Sequence, residues 1–184
     1  MPTLAPPNTI LTVEDNAVVS ADVRAILEDA GYDVCPDARD GEQAREHVRQ
    51  YSPDLILLDL KLPRLDGVEA ASRIREESDA PILVLTGTND PELLERAEAA
   101  GTSGLVLKPF SEHGLLSAVR NRLAQRDSED FHLRCLIDSM LRDGADEQEV
   151  IRVLDAQTGR SRPSGRRPSL RLRIAGAFAR LRAR

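Results

Sequence analysis

The chain has 184 residues and a formal net charge of −6 at pH 7, and its 41% of hydrophobic residues exclude a disordered chain. The length fits one domain of roughly 100–150 residues with an appendage and excludes two large domains. Cys35 and Cys135 are far apart and form no CxxC pair, which argues against a zinc site or a disulfide framework and predicts a reducing cytoplasm.

The first 125 residues alternate short apolar runs with amphipathic stretches, which predicts five strand–helix pairs in chain order. The predicted strands are Thr9–Val13, Tyr32–Cys35, Leu55–Leu58, Ile82–Leu85 and Gly104–Leu107. The predicted helices are Val18–Ala30, Gly41–Gln50, Gly67–Glu77, Pro91–Ala100 and Ser111–Ala124. This alternation indicates an α/β domain in which a doubly wound, five-stranded parallel sheet carries helices on both faces.

Beyond residue 126 only helical spacing is present. One apolar stripe consists of Leu133, Leu136, Ile137, Met140 and Leu141. After a predicted turn at Arg142–Ala145, Asp146 and Glu149 resemble a capping box that opens a second helix, so a helical hairpin is predicted. We therefore divide the chain into an N-terminal tail (1–8), an α/β domain (9–126), a helical extension (127–157) and a basic linker with a candidate amphipathic helix (158–184).

The charge is divided along the chain. Residues 156–184 contain nine arginines and no acidic residue, whereas residues 1–155 contain 16 basic and 31 acidic residues, a balance of −15. If residues 169–184 are helical, an apolar stripe bordered by arginines suits an anionic membrane surface, a nucleic-acid backbone or an acidic protein groove. A disordered basic tail is the alternative, because isolated short helices are marginally stable.

Neither a membrane span nor a signal peptide is expected. The longest aliphatic run of the acidic part, Leu55–Leu58, is far too short to cross a membrane. The first eight residues lack both a positively charged region and an apolar region. These features predict a cytoplasmic protein with no transmembrane segment.

Charged and hydroxyl side chains follow the predicted strands at the point where each strand ends. Glu14 and Asp15 follow the first strand, Asp59 the third, Thr86 the fourth and Lys108 the fifth. Because the carboxyl ends of parallel strands meet at one edge of a sheet, we expect these side chains to lie close together.

Such a group of side chains suits phosphoryl transfer with a metal ion. Three converging carboxylates repel one another, and a divalent cation relieves that repulsion. Oxygen ligands without histidine or thiol are typical of Mg²⁺, which also retains several waters. Lys108 is a point charge suited to phosphate, and Thr86 can donate to a phosphoryl oxygen. Asp59 can act as the nucleophile and form an aspartyl phosphate.

Four segments carry a resemblance to a known family, and they are Ile10–Asn16, Pro53–Gly67, Ile82–Gly87 and Leu107–Phe110. Through them the region from about Thr9 to Gln125 resembles the receiver (CheY-like) domain of bacterial two-component response regulators. The resemblance implies a flavodoxin-like fold with strand order 2-1-3-4-5. It also implies that Asp59 accepts a phosphoryl group from the phosphohistidine of a sensor histidine kinase or a histidine phosphotransfer protein.

The resemblance further implies the ligands of the metal and the residues of a switch. Glu14, Asp15, Asp59 and the backbone carbonyl of Lys61 would bind Mg²⁺.

Thr86 and Lys108 would sense and neutralise the phosphoryl group, and the Lys108–Pro109 bond is expected to be cis. Receivers usually carry an aromatic residue three positions before this lysine, which reorients together with the threonine. Leu105 occupies that position here, a departure that bears on the switch but not on the phosphorylation chemistry.

We expect a response regulator of a two-component phosphorelay that signals by protein–protein interaction, with a homodimer left open. It is expected to be a signalling module that catalyses only its own phosphorylation and dephosphorylation.

The alternative is a phosphorylation-controlled nucleic-acid-binding regulator that uses the basic C-terminal region. Asp66–Ala71 resembles receivers attached to ANTAR RNA-binding antitermination domains, of which Ile137–Leu154 has only part of the helical pattern. Gly144–Ser164 loosely resembles a helix-turn-helix, but Pro163 falls within its recognition helix.

Overall fold

A computed structural model describes residues 7–62, 66–87, 90–142, 146, 148–150 and 152–153. The described residues up to Leu123 form one compact unit, and the described residues from Ala124 onward form a second. Within the described ranges, no helix is both long enough and apolar enough to cross a membrane.

Five strands and five helices alternate in the described part of the chain. The strands are β1 Thr9–Val13, β2 Asp33–Val34, β3 Leu55–Asp59, β4 Ile82–Thr86 and β5 Gly104–Leu107. The helices are α1 Ala17–Asp29, α2 Gly41–Tyr51, α3 Gly67–Glu77, α4 Pro91–Ala99 and α5 Glu112–Arg142. All pairs of strands are parallel, and the order β2-β1-β3-β4-β5 confirms the predicted doubly wound, flavodoxin-like α/β fold.

The central strand β3 explains how the core is divided between the two faces of the sheet. Ile56 and Leu58 pack with apolar residues of α2 and α3, whereas Leu55 and Leu57 pack with apolar residues of α1 and α5. Every residue of β3 is buried, as is typical of a parallel strand that has helices on both faces. The continuous apolar run in the sequence follows from this double burial.

Each of the first four helices begins after an Asn or Asp that caps its amino end. Asn16, Asp40, Asp66 and Asp90 each accept a hydrogen bond from a backbone N–H in the first turn of the helix that follows. Such caps satisfy N–H groups that have no partner within the helix. Helix α1 therefore starts directly after Asn16, slightly earlier than its apolar spacing predicts.

Two elements differ from the sequence-based prediction. The predicted end of the fifth helix at Ala124 is wrong, because α5 continues to Arg142, past the predicted division between residues 126 and 127. The polar residues 125–130 interrupt the apolar stripe, but no glycine or proline breaks the helix there, and Gln, Arg and Glu favour helix. The second strand is shorter than predicted and contains only Asp33–Val34.

Past α5, the structure describes only a few residues of the predicted second helix of the extension. The Glu149 N–H donates to Asp146 Oδ1 over 2.8 Å, and the Val150 N–H donates to the Asp146 carbonyl over 3.1 Å. These bonds confirm that Asp146 caps a helical turn. Residues 143–145 of the predicted turn and the basic segment 158–184 lie outside the described residues.

Gly67 brings α3 against the backbone that carries Asp59. A Cβ atom at this position would lie 2.4 Å from the Leu60 Cα and 2.6 Å from the Asp59 carbonyl oxygen. The Gly67 N–H also donates to the Leu60 carbonyl over 3.1 Å. The close approach of the two backbones therefore requires glycine here.

We predict that Gly67→Ala lowers the free energy of unfolding by about 1–3 kcal/mol, because Leu60 or α3 must move to admit the methyl group. Gly87→Ala is the matched control, since a Cβ at Gly87 meets no atom within 4 Å. We expect that control to stay within about 0.5 kcal/mol of wild type. Urea unfolding followed by circular dichroism measures both variants, and equal effects of the two substitutions would contradict the packing argument.

Candidate functional site

Asp59 lies at the carboxyl end of β3 and is 7% exposed. Its Oδ1 accepts a hydrogen bond from the Lys61 N–H at 2.9 Å, and its Oδ2 accepts one from the Lys108 Nζ at 2.7 Å. Both carboxylate oxygens therefore have a donor on the protein, and the two donors together orient the carboxylate.

Glu14 and Asp15 follow β1 directly and differ in exposure. Glu14 is buried, whereas Asp15 is exposed. Glu14 Oε2 accepts a hydrogen bond from the Lys108 Nζ at 2.5 Å, and Glu14 Oε1 accepts one from the Asn16 N–H at 3.1 Å. Because β1 and β3 are neighbours in the sheet, this acidic pair reaches the same edge as Asp59.

Lys108 follows β5, the last strand in the sheet order, and connects the two buried carboxylates. Its backbone N–H donates to the carbonyl of Thr86 over 2.7 Å. Thr86 is fully buried at the carboxyl end of β4. The Lys108–Pro109 peptide bond is cis, as the resemblance implied. The Lys108 ammonium thus lies within hydrogen-bond distance of carboxylates that come from β1 and β3.

Burial, hydrogen bonds and neighbouring charges shift the pKa values of Glu14 and Lys108. Burial raises the pKa of Glu14, and the nearby charge of Asp59 adds to this, while the hydrogen bond from Lys108 opposes it. Burial alone would lower the pKa of Lys108, but its hydrogen bonds to Asp59 and Glu14 outweigh that effect and raise it above its usual value. The ammonium therefore stays charged at neutral pH and stabilises the two carboxylates.

The carboxylates at this edge also suit a metal ion. Glu14, Asp15 and Asp59 each offer one oxygen, and these oxygens lie within 4.8 Å of one another. Lys108 supplies one positive charge against three carboxylates, so the group has an excess of negative charge when all three are ionised. Oxygen donors with such an excess fit Mg²⁺, and the exposure of Asp15 lets water reach the group.

The structure brings together four of the predicted site residues, namely Glu14, Asp15, Asp59 and Lys108. Thr86 lies at the end of the neighbouring strand β4. Leu105 lies on β5, in register with Val84 of β4, and is 44% exposed.

Two backbone donors, the N–H groups of Asn16 and Lys61, were missed by the sequence analysis. The position of Asn16 directly before a helix predicts the N-cap made by its side chain, but not the bond from its N–H to Glu14. Lys61 had a signal, because an Asp side chain frequently accepts a hydrogen bond from the backbone N–H two residues on, as Asp59 does here.

The geometry agrees with a comparison against known families. The sequence profile described as the response regulator receiver domain matches residues 10–120. The chain belongs to the response regulator receiver family. This confirms the resemblance seen in the sequence and identifies the chain as a signalling module of two-component systems.

Two curated relatives of this receiver are longer proteins. The transcriptional regulatory protein PdtaR of Mycobacterium tuberculosis is 40% identical over 115 residues, which cover 62% of this chain and 56% of PdtaR. The DNA-binding response regulator MtrA of Mycobacterium leprae is 33% identical over 129 residues, which cover 70% of this chain and 57% of MtrA. The chain thus spans just over half the length of these relatives.

A solved receiver domain shows the same fold together with a metal ion. The receiver domain of the sensor histidine kinase PA1611 from Pseudomonas aeruginosa PAO1 was crystallised with a magnesium ion coordinated in its active site cleft. It is 32% identical to this chain at a TM-score of 0.59, and the match covers 64% of this chain and 98% of that domain.

We predict that Lys108→Met lowers the free energy of unfolding by about 1–3 kcal/mol at pH 7, because it leaves two buried carboxylates without their shared cation. Loss of the ammonium also raises the pKa of Glu14 further above its usual value of 4.5. A group with a raised folded-state pKa stabilises the fold fully below its unfolded pKa and loses this contribution as the pH rises.

The stability deficit of Lys108→Met is therefore expected to be smallest below the usual Glu14 pKa of 4.5 and to grow as the pH rises above it. Urea unfolding at several pH values measures this trend. Lys61→Met is the matched control, because its side chain is exposed, and it should stay within about 0.5 kcal/mol of wild type throughout. A deficit that is the same at every pH would argue against the coupling of Glu14 to Lys108.

Proposed function

We propose that the chain is a response regulator that accepts a phosphoryl group on Asp59 from a sensor histidine kinase or a histidine phosphotransfer protein. The observation that carries this proposal is the position of the Asp59 carboxylate. It is held by the Lys108 ammonium and the Lys61 N–H, next to the acidic pair Glu14 and Asp15. Membership of the receiver family supports the same assignment.

In the proposed step, an Asp59 carboxylate oxygen bonds to phosphorus while the phosphorus–nitrogen bond of the phosphohistidine breaks. The imidazole nitrogen keeps the bonding pair and takes up a proton. The hydrogen bonds from Lys61 and Lys108 hold the carboxylate in place, so it has little orientational freedom left to lose when it reacts. An ammonium has three N–H donors, and the contacts of Lys108 with Glu14 and Asp59 use two of them, so Lys108 can also donate to a phosphoryl oxygen.

Mg²⁺ is the proposed cofactor, held by Glu14, Asp15, Asp59 and the backbone carbonyl of Lys61. When bound, it neutralises negative charge on the phosphoryl oxygens as the transfer proceeds. The acidic cluster and the metal in the PA1611 receiver support this proposal.

Thr86 and Leu105 are proposed as the residues that respond to phosphorylation. Thr86 is connected to Lys108 through the hydrogen bond from the Lys108 N–H to its carbonyl, so a change around the ammonium reaches the end of β4. Leu105 replaces the usual aromatic residue, so the proposed response at this position is a movement of an aliphatic side chain on the surface of β5.

The proposed output is a change in the protein–protein contacts of a cytoplasmic protein, in which residues 127–157 are proposed as a helical extension. A homodimer of the phosphorylated protein is part of the same proposal. A second candidate output is nucleic-acid binding through the nine arginines of residues 158–184, by an ANTAR-like or a degenerate helix-turn-helix arrangement. The names of PdtaR and MtrA, a transcriptional regulatory protein and a DNA-binding response regulator, favour this second candidate.

We predict that the full chain, incubated with acetyl phosphate and Mg²⁺, gains one phosphoryl group, visible in the intact mass and lost after treatment with base. Asp59→Asn is expected to abolish the adduct, because an amide is a far weaker nucleophile than a carboxylate. Asp66→Asn is the matched control, since Asp66 caps α3 in the same connection and is expected to leave phosphorylation unchanged. An adduct that persists in Asp59→Asn would refute the assignment.

We also predict that Mg²⁺ raises the melting temperature of the wild type, because it binds the folded acidic edge and not the unfolded chain. At a concentration of 100 times Kd, the stabilisation is about 2.7 kcal/mol. Asp15→Ala is expected to lose most of this shift, whereas Asp22→Ala, which removes an exposed carboxylate of α1, is expected to keep it. A wild-type melting temperature that is indifferent to Mg²⁺ would exclude the proposed metal site.

A further inference from the structure

The segment that follows β2 supports the backbone of the acidic pair. The Cys35 N–H donates to the Ile10 carbonyl over 2.9 Å, and the Ala38 N–H donates to the Thr12 carbonyl over 3.0 Å. The Glu14 N–H in turn donates to the Ala38 carbonyl over 2.9 Å. Residues 35–38 therefore run beside the end of β1, and Ala38 holds the backbone of Glu14 directly.

This segment continues from the outermost strand on one lateral side of the sheet. The strand that leads into it, β2, is the edge strand and contains only two residues, Asp33 and Val34. On its inner side the segment is bonded to β1, and on its outer side the sheet adds no further strand in the described part of the chain. A short edge segment needs other contacts to hold its position, because few ladder bonds oppose its conformational freedom.

Arg24 of α1 supplies those contacts. Its Nη2 donates to the Cys35 carbonyl at 2.6 Å and to Asp37 Oδ1 at 2.6 Å. Its Nη1 donates to the Val34 carbonyl at 3.3 Å and to Glu28 Oε1 at 3.1 Å. The planar guanidinium thus binds the last residue of β2 and two residues of the segment, and it is itself oriented by Glu28 on its own helix.

We infer that Arg24 is a positioning residue for the acidic pair. It fixes residues 34–37, these lead directly into Ala38, and the Ala38 carbonyl fixes the backbone of Glu14, which carries one carboxylate and leads directly into Asp15. Arg24 is thus connected to the site through this chain of hydrogen bonds. The inference rests on the proposed Mg²⁺ site, since it predicts that loss of Arg24 weakens the binding of that ion.

Arg75 offers a matched control for this inference. It also fastens connecting segments by hydrogen bonds to backbone carbonyls, at 2.9 Å to Gly101 and at 2.7 Å to Ala80. These segments precede β5 and β4, so they lie at the amino ends of the strands, at the opposite edge of the sheet from the acidic pair. Loss of Arg75 therefore disturbs a comparable set of bonds away from the site.

The experiment compares Arg24→Gln, Arg75→Gln and the wild-type full chain by calorimetric titration with Mg²⁺ and by NMR measurement of amide hydrogen exchange. Both variants are expected to be less stable than the wild type. Only Arg24→Gln is expected to raise the Kd for Mg²⁺, by about threefold to tenfold, below the roughly 10–100-fold typical of groups that contact metal ligands directly. Only Arg24→Gln is expected to speed exchange of the Glu14 amide beyond its change in global stability.

Asp37→Asn is a milder second variant in case Arg24→Gln does not fold. It keeps the bonds of Arg24 to the carbonyls and weakens one bond to the segment, so a smaller change in the same direction is expected. Equal Mg²⁺ affinity in the Arg24, Asp37 and Arg75 variants, with wild-type exchange at Glu14, would overturn the inference. Failure of the wild type itself to bind Mg²⁺ would instead overturn the proposed metal site, and exchange at Glu14 would still report on the role of Arg24.

Discussion

The rest of the site depends on one ammonium group that is shared by two buried carboxylates. Lys108 contacts Glu14 and Asp59, which come from two other strands, and so it connects the ends of β1, β3 and β5. Without this cation, the two buried carboxylates would repel each other with no opposite charge between them. Because Lys108 is itself bonded through its backbone to Thr86, the last residue of β4 belongs to the same connected unit.

Much of this arrangement could be predicted from the sequence, because it follows from topology. The apolar run Leu55–Leu58 is interpretable as a strand buried on both faces, and a parallel sheet places the residue that follows it at the edge where the other strands end. The convergence of Asp59, Glu14 and Lys108 can therefore be predicted without any knowledge of side-chain positions. The strand order came from the family resemblance and not from the patterning itself.

Other features depend on contacts that no local pattern encodes. Arg24 and Arg75 both occur in helices and cannot be told apart in the sequence. Arg24 nevertheless binds a segment beside the site, whereas Arg75 binds segments at the amino ends of the strands. Their partners are backbone carbonyls, which every residue possesses, so the choice depends on tertiary packing. The length of α5 was underestimated for a related reason, since the end of an apolar stripe marks the limit of burial and not the limit of the helix.

The capped helices have an electrostatic consequence for the edge that holds the carboxylates. In a parallel sheet with alternating helices, each helix that follows a strand starts at the same edge, and Asn16, Asp66 and Asp90 show this for α1, α3 and α4. The aligned peptide dipoles of a helix place a partial positive charge at its amino end. At α3 and α4 the carboxylates of Asp66 and Asp90 offset this charge, whereas α1 is capped by the uncharged Asn16 and has no acidic residue in its first turn, so the amino end of α1 adds to the positive field of Lys108 at this edge.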